Sequence, residues 1–170
     1  MKKEKNFLKM LRIQQTNCNF FLKIIILFFI LAESSSAEIL KPSINIDPKK
    51  VIKIQLTALM KNDFPYKDRG IAQTWEFAHP NNQKVTGPIE RFKNMMKTDS
   101  YSMLLNHTDH EIMEVYKSTD VATFEVTVLD VGKKYYKFKW QVEKYNIEGA
   151  LKDCWLTTAV SQPMPLGSSI

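Results

Sequence analysis

Cysteine is nearly absent: the 170 residues hold two, Cys18 and Cys154. Histidine is almost as rare, with only His79, His107 and His110, and there are just five glycines. No Gly-rich phosphate loop, nucleophile elbow or zinc-ligand spacing occurs. There is no internal repeat, low-complexity tract or Gly/Ser linker that would divide the chain into several domains. The longest apolar run, Ile24 to Ala32, has nine residues, well short of the roughly 20 that cross a bilayer.

That run explains much of the composition. Lys2, Lys3, Lys5, Lys9, Arg12 and Lys23 precede it, and Ser35-Ser36-Ala37 follows with small side chains at −3 and −1. This is the grammar of a cleavable signal peptide over residues 1–37, with Glu38 as the mature N-terminus. The expected location is therefore export, periplasmic or extracellular, without stable membrane insertion after cleavage. The leader carries six of the 24 basic residues and two of the 18 acidic ones, leaving 18 against 16, or +2. The sequence pI of 9.2 belongs largely to the leader, so it is no footprint of nucleic-acid binding. With Cys18 removed, Cys154 alone remains and no internal disulfide forms.

The remaining 133 residues suit one domain over 47–162 with a single core. Residues 38–46 read as a flexible lead-in and 163–170 as a loose tail. Asp47-Pro48 starts a helix that runs to about Lys61, with Ile52, Leu56, Leu59 and Met60 on its apolar side and Lys49, Lys50, Lys53, Gln55 and Lys61 mostly on the other. Asp68 caps a second, short helix bearing Ile71, Trp75 and Ala78, which His79-Pro80-Asn81-Asn82 ends. Thr86-Gly87-Pro88 opens a third, with Ile89, Phe92 and Met96 on one stripe.

From His110 the period changes to two. Ala122, Phe124, Val126 and Val128 alternate with polar residues, as do Tyr136, Phe138, Trp140 and Val142, and Asp130-Val131-Gly132 joins the two strands as a hairpin. Glu111–Tyr116 and Cys154–Val160 add two more. The expected fold is α+β, with three N-terminal helices packed on a curved, cone-like, four-stranded antiparallel sheet.

A set of short blocks carries a resemblance: Gln55-Leu56-Thr57-Ala58-Leu59, Asn62-Asp63, Gly70-Ile71, Phe77-Ala78-His79-Pro80-Asn81-Asn82, Thr86-Gly87-Pro88, Phe92, Tyr101, Leu104-Leu105-Asn106-His107 and Cys154-Trp155-Leu156-Thr157. In this order they resemble exported bacterial proteins, with plant relatives, grouped as domain of unknown function 4864. The resemblance implies a nuclear transport factor 2-like, or cystatin-like, cone fold, and it brings no assigned activity. Where the family usually reads Cys-Trp-Met-Thr, then an acidic residue and Gly-Val, this chain has Leu156 and Thr158-Ala159-Val160, which counts against a role for an acidic residue there.

Chemistry is sparse. His79 reads as a helix-end histidine, and His107 and His110 as a solvated turn without a third metal ligand. Cys154 reads as a buried small residue. No catalytic, cofactor or metal residue is singled out. The expected cavity wall, between the Gly70–His107 stretch and the sheet, comprises Trp75, Phe92, Tyr101, Phe124, Phe138 and Trp140, with Asn106 or His107 at its edge to fix a polar group. Two functions fit: a non-catalytic module binding a small molecule or protein partner, or an isomerase- or hydrolase-type enzyme. A polar pair in an otherwise apolar cavity favours the enzyme, and a dry or shallow cavity favours the module.

Overall fold

The computed structural model describes residues 38–168, and the signal-peptide expectation falls on residues outside them. The described residues fall within one unit, Ala37–Ile170, and they build an α+β domain. Its elements are α1 (Pro48–Met60), α2 (Arg69–Glu76), α3 (Pro80–Thr86), α4 (Ile89–Met96), a 3-10 turn (Ser102–Leu104), β1 (Asp109–Lys117), β2 (Val121–Leu129), β3 (Lys134–Lys144), β4 (Trp155–Val160) and β5 (Met164–Ser168). Among the described residues no helix is long and apolar enough to cross a membrane.

The sheet is antiparallel and open, in the order β1-β2-β3-β4. It has five strands rather than four, because β5 also pairs with β3. β2 runs along one edge of β3, from Tyr135 to Glu143. The other edge is shared: β4 takes Trp140–Lys144 and β5 takes Lys134–Lys137. The tail beyond residue 162, expected to be loose, thus contributes a strand. Its exposed Met-Pro-Leu-Gly-Ser sequence carries none of the alternation that marks a strand with one buried face.

Alternation on β2 and β3 places Phe124 opposite Trp140, Val126 opposite Phe138 and Ala122 opposite Val142. All six are at most 1% exposed, and cross-strand pairs of this kind stabilise a sheet beyond their burial. The helices close over this face with Val51, Ile52, Leu56 and Leu59 of α1, Ile71 of α2, and Phe92 and Met96 of α4.

α1 starts where capping chemistry requires: Asp47 Oδ1 accepts from Lys50 N–H at 3.0 Å, with Pro48 in the first turn. The chain after it is held by a polar network. Asn62 Oδ1 accepts from Ile71 N–H, Asn106 Oδ1 from Asn62 N–H, and Asp63 Oδ1 from both Asn62 Nδ2 and Asp68 N–H. Gly70 N–H donates to the Asn62 carbonyl at 2.9 Å. A Cβ on Gly70 would stand 2.2 Å from the Ala58 carbonyl oxygen, so only glycine lets α2 approach α1 this closely.

Three local expectations change. Asp68 does not cap α2; it adopts a left-handed φ of 61° and bonds Lys97 Nζ at 2.7 Å. Burial pushes its carboxyl up, but the Lys97 ammonium and the Asn62 amide hold it below the ordinary value. His79-Pro80-Asn81-Asn82 ends α2 and also begins α3, a helix beyond the three expected. Pro80 occupies its first turn and His79 Nδ1 accepts from Asn81 N–H at 3.1 Å, which is proline's favoured place in a helix. Residues 38–46 are tethered rather than free. Gln73 holds Leu40 by two 2.8 Å bonds, Arg69 Nη2 donates to the Glu38 carbonyl, and Lys41 pairs with Glu76.

Candidate functional site

Between the helices and β4 lies a cavity of about 230 Å3. One strand residue organises it. Thr157 N–H donates to the Phe77 carbonyl at 2.8 Å, and the Thr157 carbonyl accepts from His79 N–H at 2.9 Å. With Ala78 opposite Thr157 in a parallel bridge, these bonds fasten the α2–α3 corner to β4. Asn82 Nδ2 reinforces the joint by donating to the Thr157 and Thr158 carbonyls at 3.1 and 2.7 Å. The blocks Phe77 to Asn82 and Cys154 to Thr157, far apart in sequence, are therefore two halves of one joint.

The Thr157 side chain links three elements. Trp140 Nε1–H donates to Thr157 Oγ1 at 3.2 Å, Thr157 Oγ1 donates to Gln55 Oε1 at 2.8 Å, and Gln55 Nε2 donates to the Thr74 carbonyl at 3.1 Å. Gln55 and Trp140 are each 1% exposed. A buried relay satisfied at every step is rigid, and an unpaired member would be costly. Phe92, Met95, Met96, Tyr101 and Leu104 complete the apolar wall, with Asn82, Thr86 and Thr158 adding polar groups. The lining holds no carboxylate, amine, guanidinium, imidazole or thiol.

The expected wall residues separate into groups. Phe92, Tyr101 and Trp140 line the cavity. Trp75 stands behind it, its ring 5.0 Å from that of Phe92, in a space that Gly87 leaves open: a Cβ there would lie 3.0 Å from the indole. Phe124 and Phe138 are core residues that do not reach it.

Asn106 and His107 do not edge the cavity. Asn106, at φ 55°, turns inward to bond α1 through Leu59 and the following Asn62. His107, expected on a solvated turn, is 1% exposed. Its Nδ1 lies 2.7 Å from the Leu104 carbonyl and its Nε2 2.8 Å from His110 Nδ1. A carbonyl only accepts, so Nδ1 carries the hydrogen and Nε2 accepts from His110. Burial, the leading cause, holds both histidines below their ordinary 6.5. Among the described residues no cluster of His, Cys, Asp and Glu suits a metal ion. Cys154 is buried, and burial pushes its thiol up, the setting of an inert cysteine.

Two residues of the site, Gln55 and Thr157, stand in blocks that carry the family resemblance, but nothing in the local pattern of either announces that they meet. Gln55 counts with the lysines of α1 only by its polar side chain; helical spacing sets it on the stripe of Ile52, Leu56 and Leu59, where it is buried. Thr157 lies 102 residues from Gln55, a distance that no local pattern bridges.

Fold and site define an α+β domain with an open antiparallel sheet and a neutral cavity under its helices. A family model, Domain of unknown function (DUF4864), matches residues 43–161, and the chain belongs to that family. No curated protein and no solved structure matches the chain.

Proposed function

We propose that the chain is an exported, non-catalytic module of nuclear transport factor 2-like fold that binds a small, uncharged molecule in the cavity beside Thr157. The observation carrying this reading is the cavity's composition: an aromatic and methionine wall around hydrogen-bonding groups that bear no charge. Gln55 and Thr157 form a polar pair inside a cavity that Asn82, Thr86 and Thr158 also line, and a polar pair by itself would suit an enzyme. Neither titrates, however, and a general acid or base needs a group whose pKa lies near the working pH. Amide and hydroxyl groups orient a ligand instead. At about 230 Å3 the cavity is below the roughly 300–1,000 Å3 of drug-sized sites, so the ligand is a small one.

Two-dimensional NMR with a library of neutral amide and alcohol fragments tests this reading. The expected result is a shift of the Trp140 indole N–H that disappears in Ala159→Phe, where the new ring plugs the cavity mouth. Absence of any shift, or an undiminished shift in the plugged variant, would count against it. Turnover of any fragment would transfer the site to the enzyme reading.

A further inference from the structure

The outer side of α1 borders a second concavity. It is an open groove of about 780 Å3 between α1, Arg69 and Gln73 of α2, and Leu40 of the tethered lead-in. Lys50, Lys53, Ile54, Thr57, Ala58 and Lys61 line it. Their spacing of one, three or four residues is that of a single helical stripe, continued by Lys61 just past the end of α1.

The stripe spans about 16 Å at about 1.5 Å per residue. Lys49, Lys50, Lys53, Lys61 and Arg69 share the groove with a single acid, Asp47, and that carboxylate is engaged in capping the helix. None of these five cations forms an ion pair with another described residue. The groove between them is apolar, with Leu40 and Phe64 respectively 47% and 71% exposed. Arg69 supplies an independent observation: its Nε–H is buried with no hydrogen-bond partner among the described residues, a costly state for a guanidinium donor.

Cations along an apolar trough suit one ligand chemistry. We propose that this groove binds a single-chain anionic amphiphile, its hydrocarbon chain laid on Ile54, Ala58 and Phe64 and its head group held by Lys53, Lys61 and Arg69. Charge complementarity selects the anion, and the apolar floor separates an amphiphile from a plain polyanion. The groove's volume lies within the range that small-molecule sites occupy.

Calorimetric titration of the full chain with dodecanoate, below its micelle concentration, tests the proposal, with dodecyltrimethylammonium as the cationic counterpart. Dodecanoate is expected to saturate and to weaken as salt rises, while the cation does not bind the groove. Lys53→Glu/Lys61→Glu is expected to weaken dodecanoate on the order of tenfold or more, since two charge-assisted contacts become repulsive. Phe64→Ser, at an exposed position, is expected to weaken it too, and unchanged melting temperatures show that both variants fold. Equal binding of the cationic amphiphile, or indifference to both variants, would overturn the proposal. So would equal affinity for hexaglutamate, which would mark an acidic-peptide site, or binding only to anionic vesicles, which would mark a membrane surface.

Discussion

The two faces of α1 contrast in almost every physical respect. Its inner face contributes Gln55, buried and bonded into a relay with Thr157 and Trp140. Its outer face contributes lysines that have no ion-pair partner among the described residues. Burial explains the difference. A charge in the inner cavity would lose its hydration and need a partner there, whereas an amide and a hydroxyl satisfy each other. On the outside the ammonium groups keep their water, so the face carries charge at little cost to stability. One helix thus presents a neutral surface and a cationic surface back to back.

Trp140→Ala is expected to separate the two faces most strongly. The indole is fully buried, and its loss is expected to cost about 3 to 5 kcal/mol, enlarging the inner cavity while leaving the outer groove its residues. Urea melts check the stability; a loss under about half a kcal/mol would be typical of a surface position.

Gly70→Ala strains the support that both faces share. The added methyl meets the Ala58 and Asn62 backbone, and overpacking of this kind costs about 1 to 3 kcal/mol. The same melts, with a fall at the upper end of that range, check it. A neutral result would mean that α2 can move away from α1 freely.

Thr157→Val acts on the inner face alone. It leaves Trp140 Nε1–H without its acceptor and Gln55 Oε1 without its donor, with an expected cost of about 1 to 3 kcal/mol. Melting followed by tryptophan fluorescence measures it.

The smallest effect is a pH dependence from the His107–His110 pair. Folding holds both below their ordinary 6.5, with burial the first cause; for His107 the Leu104 carbonyl opposes the shift, and for His110 Asp109 opposes it while Lys53 adds to it. Their contribution to stability is therefore full above the ordinary value and is lost as pH falls through the lower folded-state values. Urea melts at about pH 7.5 and about pH 5 are expected to show lower stability in acid, with a smaller difference in His107→Asn.

Legibility in the sequence follows the amount of local pattern. Strands β2 and β3 alternate strictly and are readable, as is α1 with its Asp47-Pro48 start. The helix α3 looks like a mere terminus because His79-Pro80-Asn81-Asn82 has polar residues and no apolar stripe; Pro80 is the available signal, since proline belongs in a first turn. Strand β5 has both faces exposed, so no periodicity announces it. Of the site, the aromatics Phe92, Tyr101 and Trp140 are readable from size and spacing. The Gln55–Thr157 bond is not, because only the tertiary fold brings α1 and β4 together. His107 misleads for the converse reason: a histidine between Asn106 and Thr108 looks like a surface turn, and only the inward turn at Asn106 buries it.

A crossed titration distinguishes a neutral site and a cationic site from one shared site. A neutral fragment that shifts the Trp140 indole and dodecanoate are each titrated into the parent chain, Ala159→Phe and Lys53→Glu/Lys61→Glu. Ala159→Phe is expected to abolish fragment binding and spare dodecanoate, while the lysine variant does the reverse. Loss of both ligands in either variant, with the fold intact, would contradict two independent sites.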